Sequence, residues 1–147
     1  MLFASRGHRV LGVDSSPLAV EKAGTKAKER GSKAQFMVAD ALDLAQLDRR
    51  FDAAIDSGLF HVFPDRERAA YVRSLAAVLR PGGRYFMLCF SEMEPADWGG
   101  PRRISESEIL ESFREGWHID YVRRAGFESN FHSDAGHAWF ARVSKAP

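Results

Sequence analysis

The sequence predicts an α/β fold built on a layered, mostly parallel sheet with an antiparallel C-terminal edge. Short apolar runs alternate with segments whose apolar residues recur every three or four positions. The run Arg9–Val13 leads straight into Asp14-Ser15-Ser16-Pro17, where Ser16 suits a helix N-cap and Pro17 a first helical position. Arg80-Pro81-Gly82-Gly83 then divides a helical segment from the aromatic and aliphatic run Arg84–Phe90.

Taken in order, Arg9–Val13 is a short strand that feeds a helix. Leu18, Val20, Ala23 and Ala27 give that helix an apolar stripe, and Gly31 ends it. Ala34–Val38 and Phe51–Ile55 are the next strands. The segment Asp65 to Leu79 is helical, because Ala69, Val72, Leu75, Ala76 and Leu79 share one face. Arg84–Phe90 reads as a strand with both faces buried. Residues 92–103 are loop by composition. Ser105 and Glu108 match a capping box for a helix running through Phe113. Trp117–Ala125 and Ala138–Val143 then form an antiparallel pair at the sheet edge.

Composition narrows the function. The 147 residues are long enough for one domain, spanning 1–147, with 45% hydrophobic and 28% charged content. Lys and Arg number 21 against 20 Asp and Glu. So even a balance supplies no broad field for nucleic acid or an anionic membrane, and a small neutral ligand is the better expectation. The basic pairs Arg49-Arg50, Arg102-Arg103 and Arg123-Arg124 are scattered and read as solvated surface. The single cysteine, Cys89, lies in an apolar run and is expected to be buried and inert. No apolar stretch approaches the ~20 residues that span a bilayer, and the N-terminal residues lack a signal-peptide pattern, so a cytoplasmic location is expected. His8, His118, His132 and His137 share no metal-ligand spacing, and no metal is expected.

In open α/β sheets ligands sit beyond the carboxyl ends of the strands, so the polar residues just after each apolar run matter most. Asp14 either accepts hydrogen bonds from both hydroxyls of a nucleoside ribose or serves only as a helix-entry turn. Asp40 either accepts from an adenine amino group, with Ala41 and Leu42 offering backbone and an apolar lid, or acts as a cap. At Asp56-Ser57-Gly58, small residues let backbone approach a ligand, and a carboxylate or carbonyl there can meet an ammonium; a plain tight turn is the alternative.

The segments RVLGVDSSPLAVEKA, VADALDL, FDAAIDSGLFHVF and LAAVLRPGGRYFMLCF occur in the order and spacing of class I S-adenosylmethionine-dependent methyltransferases. The chain resembles that family along nearly its whole length, with LRPGGR the most telling motif. SGLFHVF and the tail GWHIDYVRRAGF are most similar to the small-molecule branch that includes thiopurine and tellurite-resistance-type enzymes. The resemblance implies a Rossmann-like methyltransferase sheet, S-adenosylmethionine as cofactor, and a small-molecule acceptor methylated through S, O or N. It implies that Asp14, with Ser15 beside it, holds the ribose hydroxyls, that Asp40 and Ala41 meet the adenine, and that Ser57 lies near the methionine portion. Leu59, Phe60, His61 and Phe63 would line the mouth where the methyl group meets its acceptor. His61 would act there as a base or would simply order the loop. Trp98, in its Gly-rich loop, would cover the substrate or pack over the sheet edge.

The family pattern also has an earlier strand and a glycine-rich loop of the form Asp-x-Gly-x-Gly-x-Gly, neither of which occurs in these residues. Met1 to Gly7 resembles the last turn of the helix that follows that loop. The missing strand would lie between those ending at Asp14 and Ile55, leaving their backbone groups to be satisfied otherwise. The expected outcomes are closure of the two strands on each other, strand exchange or dimerisation with a second chain, or a longer natural product. Cofactor binding and activity of the chain as it stands are expected to be weak or absent. Two rival readings are a non-catalytic remnant that serves as a dimerising interaction module and, through Asp14 as ribose ligand, a dinucleotide-dependent oxidoreductase fragment.

Overall fold

The computed structural model describes residues 1–95, 99–128 and 136–147. They fall into two compact units, Met1–Leu47 and Asp48–Pro147.

The first unit holds α1 (Leu2–Ser5), β1 (Leu11–Asp14), α2 (Pro17–Glu29) and β2 (Gln35–Val38), followed by 3-10 turns over Ala41–Leu47. Strands β1 and β2 pair in parallel, from Leu11 opposite Gln35 to Asp14 opposite Val38. The expected cap is present: the Ser16 hydroxyl accepts the Ala19 N–H at 3.3 Å, with Pro17 opening the helix. Gly12 is required by its neighbour, since a Cβ there would stand 2.6 Å from Phe36 Cδ1. Ala27 and Leu44 are the buried apolar side chains of this unit, while Leu2, Phe3, Val13, Leu18, Met37 and Val38 are exposed.

The second unit comprises β3 (Phe51–Ser57), α3 (Asp65–Val78), β4 (Leu79–Phe90), α4 (Glu106–Ser112), β5 (Trp117–Phe127) and β6 (Gly136–Lys145). Its sheet runs β3-β4-β6-β5, with β3 and β4 parallel and β6 antiparallel to both β4 and β5. The antiparallel C-terminal pair is as expected, and β3, β4 and β5 therefore end on the same side. Among the described residues β1 has β2 as its ladder partner and β3 has β4, each along one edge.

Among the differences from expectation are a strand start and a burial pattern. Strand β4 begins at Leu79, opposite Phe51, and resumes with Arg84 opposite Ala53; the Arg80–Gly83 turn is looped out between them. Its faces are unequal. Tyr85, Met87 and Cys89 are fully buried, with Tyr71 and Phe113 against Tyr85, whereas Phe86, Leu88 and Phe90 are half-buried. Helix α4 carries the full capping box, Ser105 accepting from the Glu108 amide and Glu108 from the Ser105 amide. Cys89 is buried as expected, and burial pushes its thiol up to about 12. No helix among the described residues is long and apolar enough to cross a membrane.

Candidate functional site

In the first unit both strand exits are locked by the same local device. Asp14 Oδ1 accepts the Ser16 N–H at 2.8 Å, and Asp40 Oδ1 accepts the Leu42 N–H at 2.8 Å. A carboxylate bonded to the amide two residues on mimics a backbone turn and aims the side chain beyond the strand end. The two exits are neighbours, because the Asp14 carbonyl accepts the Ala39 N–H at 3.1 Å. Asp14, Ser15 and Asp40 are exposed, and Ala41 and Leu42 are half-buried. Beside Asp40 lies a hollow of about 230 Å³ lined by Met37, Val38, Asp43 and Gln46.

The second unit corrects several expectations. Asp56 is buried, and its carboxylate is fully engaged inside the protein. Oδ1 accepts the Leu59 N–H at 2.7 Å; Oδ2 accepts the Phe60 N–H at 3.0 Å and the hydroxyls of Tyr71 and Tyr85 at 3.2 and 2.7 Å. Burial raises its pKa, with the four hydrogen bonds opposing that shift. This carboxylate therefore fastens the turn after β3, and it is not turned toward a ligand's ammonium. Phe60 and Phe63 are buried rather than lining a mouth, because each fills core: Phe60 stacks on Phe113, and Phe63 lies against Tyr71. Trp98 lies outside the described residues.

Ser57 is exposed at the β3 exit, and Gly58 follows with φ +92°, its N–H donating to the Leu88 carbonyl at 2.9 Å. His61 is buried, and its Nδ1 accepts the Phe90 N–H at 3.0 Å. That bond places the remaining ring proton on Nε2. Burial first, and then the charge of Arg103, lower its pKa to about 4. A neutral imidazole whose lone pair already serves a backbone amide orders the loop; its geometry does not support the expected base.

Sequence reasoning missed Phe90 and Phe127. Both are the last residues of their strands, but the search for polar groups after apolar runs passes over an aromatic one. The His61 and Phe90 rings lie 5.2 Å apart at 10°, Phe90 and Phe127 4.8 Å apart at 27°, and His61 and Phe127 6.1 Å apart. The Arg103 guanidinium stands 5.8 Å from the Phe90 ring and donates to the carbonyls of Pro95, Gly99 and Pro101. Among the described residues no three His, Cys, Asp or Glu side chains are grouped to hold a metal.

Comparison with known proteins adds the following. A family model described as a methyltransferase domain matches residues 1–83. The chain is 36% identical over 132 residues to the 2-heptyl-1-hydroxyquinolin-4(1H)-one methyltransferase of Mycobacteroides abscessus, covering 88% of this chain and 58% of that protein. It is 31% identical over 105 residues to an uncharacterised methyltransferase of Schizosaccharomyces pombe, covering 69% of this chain and 72% of that one. Among solved structures, it matches a protein reported with the conversion of a disulfide bond into a thioacetal group during echinomycin biosynthesis. That match has a TM-score of 0.87 and 32% identity over 99% of this chain and 70% of the other. A SAM-dependent methyltransferase of Methanosarcina mazei shares the fold, with a TM-score of 0.83 and 20% identity over 99% of this chain and 85% of the other. The chain thus spans little more than half the length of the Mycobacteroides relative.

Proposed function

Because the chain belongs to the methyltransferase-domain family, we propose that it serves S-adenosylmethionine-dependent methyl transfer to an S, O or N atom of a small-molecule acceptor. The observation that carries this reading is the pair of exposed carboxylates at adjacent parallel strand ends, Asp14 and Asp40, each held outward by its own turn. Their acceptor oxygens fit an adenosyl group. Asp14, with Ser15 beside it, would accept the two ribose hydroxyls; Asp40 would accept the adenine amino group, with Ala41 and Leu42 against the ring.

The cofactor would supply a methyl group already activated on a sulfonium. The protein's part is then to hold donor and acceptor in line and to keep water away, and neither task needs a strong base. A neutral His61 that orders the β3 exit suits that division of labour. The naming of the Mycobacteroides relative for a small organic acceptor supports a small-molecule acceptor here. The comparisons favour neither the oxidoreductase nor the non-catalytic reading. A cytoplasmic location, one domain over residues 1–147, and self-association with a second copy belong to the same proposal.

Calorimetric titration with S-adenosylhomocysteine tests it directly. Saturable heat is expected. A thermal shift with nicotinamide nucleotides and none with S-adenosylhomocysteine would reverse the reading toward an oxidoreductase. Light scattering at one chain mass would remove the second copy.

A further inference from the structure

We propose that Gly99–Arg103, in the connection from β4 to α4, is a strap that opens when two arginines exchange places on one pair of carboxylates. Arg68 and Arg102 share the same two oxygens. Asp65 Oδ1 meets Arg102 Nη1 at 2.7 Å and Arg68 Nη2 at 3.2 Å. Glu108 Oε1 meets Arg102 Nη2 at 2.5 Å and Arg68 Nη1 at 3.2 Å. Arg102, on the strap, therefore holds the short bonds, and Arg68, on α3, is left with the long ones.

That division is unfavourable where the two guanidinium groups stand. The Arg68 side chain is 6% exposed and lies over the Phe60 ring, 5.2 Å from its centroid, so water cannot replace a missing bond. Its Nε and Nη2 are sealed and have no hydrogen-bond partner among the described residues; Nη2 faces Asp65 but is too poorly aligned to bond it. A buried donor left unmade destabilises, and more so on a cation. Arg102 is 39% exposed and hydrates once released. Its departure frees both oxygens for Arg68. Asp65 sits one turn before Arg68 on the same helix, and Glu108 is fixed through Oε2 by the Ser105 amide and hydroxyl, so both carboxylates stay in place to close on it. Each arrangement thus satisfies one arginine better than the other, the condition for two states of similar free energy. The strap suits the motion. Gly99 and Gly100 stand at φ +71° and +85°, a backbone that L residues rarely adopt, and mark its hinge. Arg103 donates to the Gly99 and Pro101 carbonyls, so the segment keeps its own shape when Arg102 leaves. Beyond it Ile104 stays fastened, fully buried with its N–H donating to the Phe90 carbonyl at 3.0 Å. The opening is confined to residues beside the end of β4.

Trypsin reads the exchange directly, because it cuts the Arg102–Arg103 bond only when the Arg102 guanidinium has left its carboxylates. The initial rate at that bond in the full chain is measured by mass spectrometry, relative to the Arg49–Arg50 bond, where both residues are exposed. Arg68→Met keeps an unbranched chain over Phe60 and removes the competitor, so relative cutting at Arg102 is expected to slow about fivefold. In a variant that keeps a cooperative urea transition, equal or faster cutting would overturn the proposal, since an Arg68 that merely braces the site can only loosen it when lost. The unaltered chain decides the matter if that variant folds poorly. Salt screens the half-exposed Arg102 pairs more than the buried Arg68 ones, so the ratio should rise about threefold or more between about 20 mM and about 500 mM NaCl. A ratio indifferent to salt would equally overturn the exchange.

Discussion

Tyr85 donates its hydroxyl to Asp56 Oδ2 at 2.7 Å, joining the buried face of β4 to the exit of β3. Three further donors converge on the same carboxylate, so it organises the turn that carries Ser57, Gly58 and His61. Tyr85→Phe removes one donor and is expected to cost about 1–2 kcal/mol. Asp56→Ala leaves two buried hydroxyls and two amides without an acceptor and is expected to cost about 3 kcal/mol or more. Urea midpoints at constant m-value measure both.

His61 gives stability a definite dependence on pH. Its folded-state pKa of about 4 lies below the ordinary 6.5, so the folded protein resists protonation that the unfolded chain accepts. The resulting stability is complete above about pH 6.5 and is lost as pH falls toward 4, by about 3 kcal/mol over that window. His61→Asn keeps an acceptor for the Phe90 N–H but cannot take up a proton, so its urea midpoint should change less between pH 7 and pH 5. An acid limb equal to that of the unaltered chain would assign the effect to other groups.

The strand-end carboxylates were legible in the sequence because their chemistry is local. Asp14 bonds the amide two residues on and Asp40 does the same, and both turns need only neighbouring residues. Ser16, Ser105 and Glu108 cap their helices for the same reason. Asp56 looks identical in sequence, at the end of an apolar run before small residues, yet it points inward. Its direction is set by Tyr71 from α3 and Tyr85 from β4, 15 and 29 positions away, and no local pattern reports their arrival. Phe90 and Phe127 meet only through the pairing of β4 and β5 with β6, so their stack is a product of register.

Gly58 is expected to tolerate no side chain. At φ +92° an L residue is strained, and the added Cβ would press on Phe127 Cζ at 3.3 Å. Gly58→Ala should destabilise by about 1–2 kcal/mol and move the Phe127 ring resonances. A variant of unchanged stability would show that the loop relaxes freely.

Stability should be uneven along the chain. Strand β4 is paired on both edges and has a fully buried face, whereas among the described residues β1 and β2 pair with each other alone, beside exposed Val13, Met37 and Val38. Amides of Leu11–Asp14 and Gln35–Val38 should therefore exchange with deuterium about 100-fold or more faster than those of Tyr85, Met87 and Cys89. Uniform protection across both sheets would contradict that ordering.

Substitution at Asp14 separates a turn from a binding site. Asp14→Asn keeps an oxygen for the Ser16 N–H, so the turn and the melting temperature should survive. It removes the negative charge and one acceptor, and hydrogen bonds to charged groups contribute about 1.5–3 kcal/mol each. Affinity for S-adenosylhomocysteine should accordingly fall about tenfold or more. Asp40→Asn keeps its bond to the Leu42 amide in the same way but gives up an acceptor for one amino group only, so its loss should be smaller. If either variant instead lowered the melting temperature and left the affinity alone, that aspartate would be a turn residue and the adenosyl assignment would pass from it. The order of the two losses matters too: a larger effect at Asp40 than at Asp14 would place the ribose elsewhere on this edge.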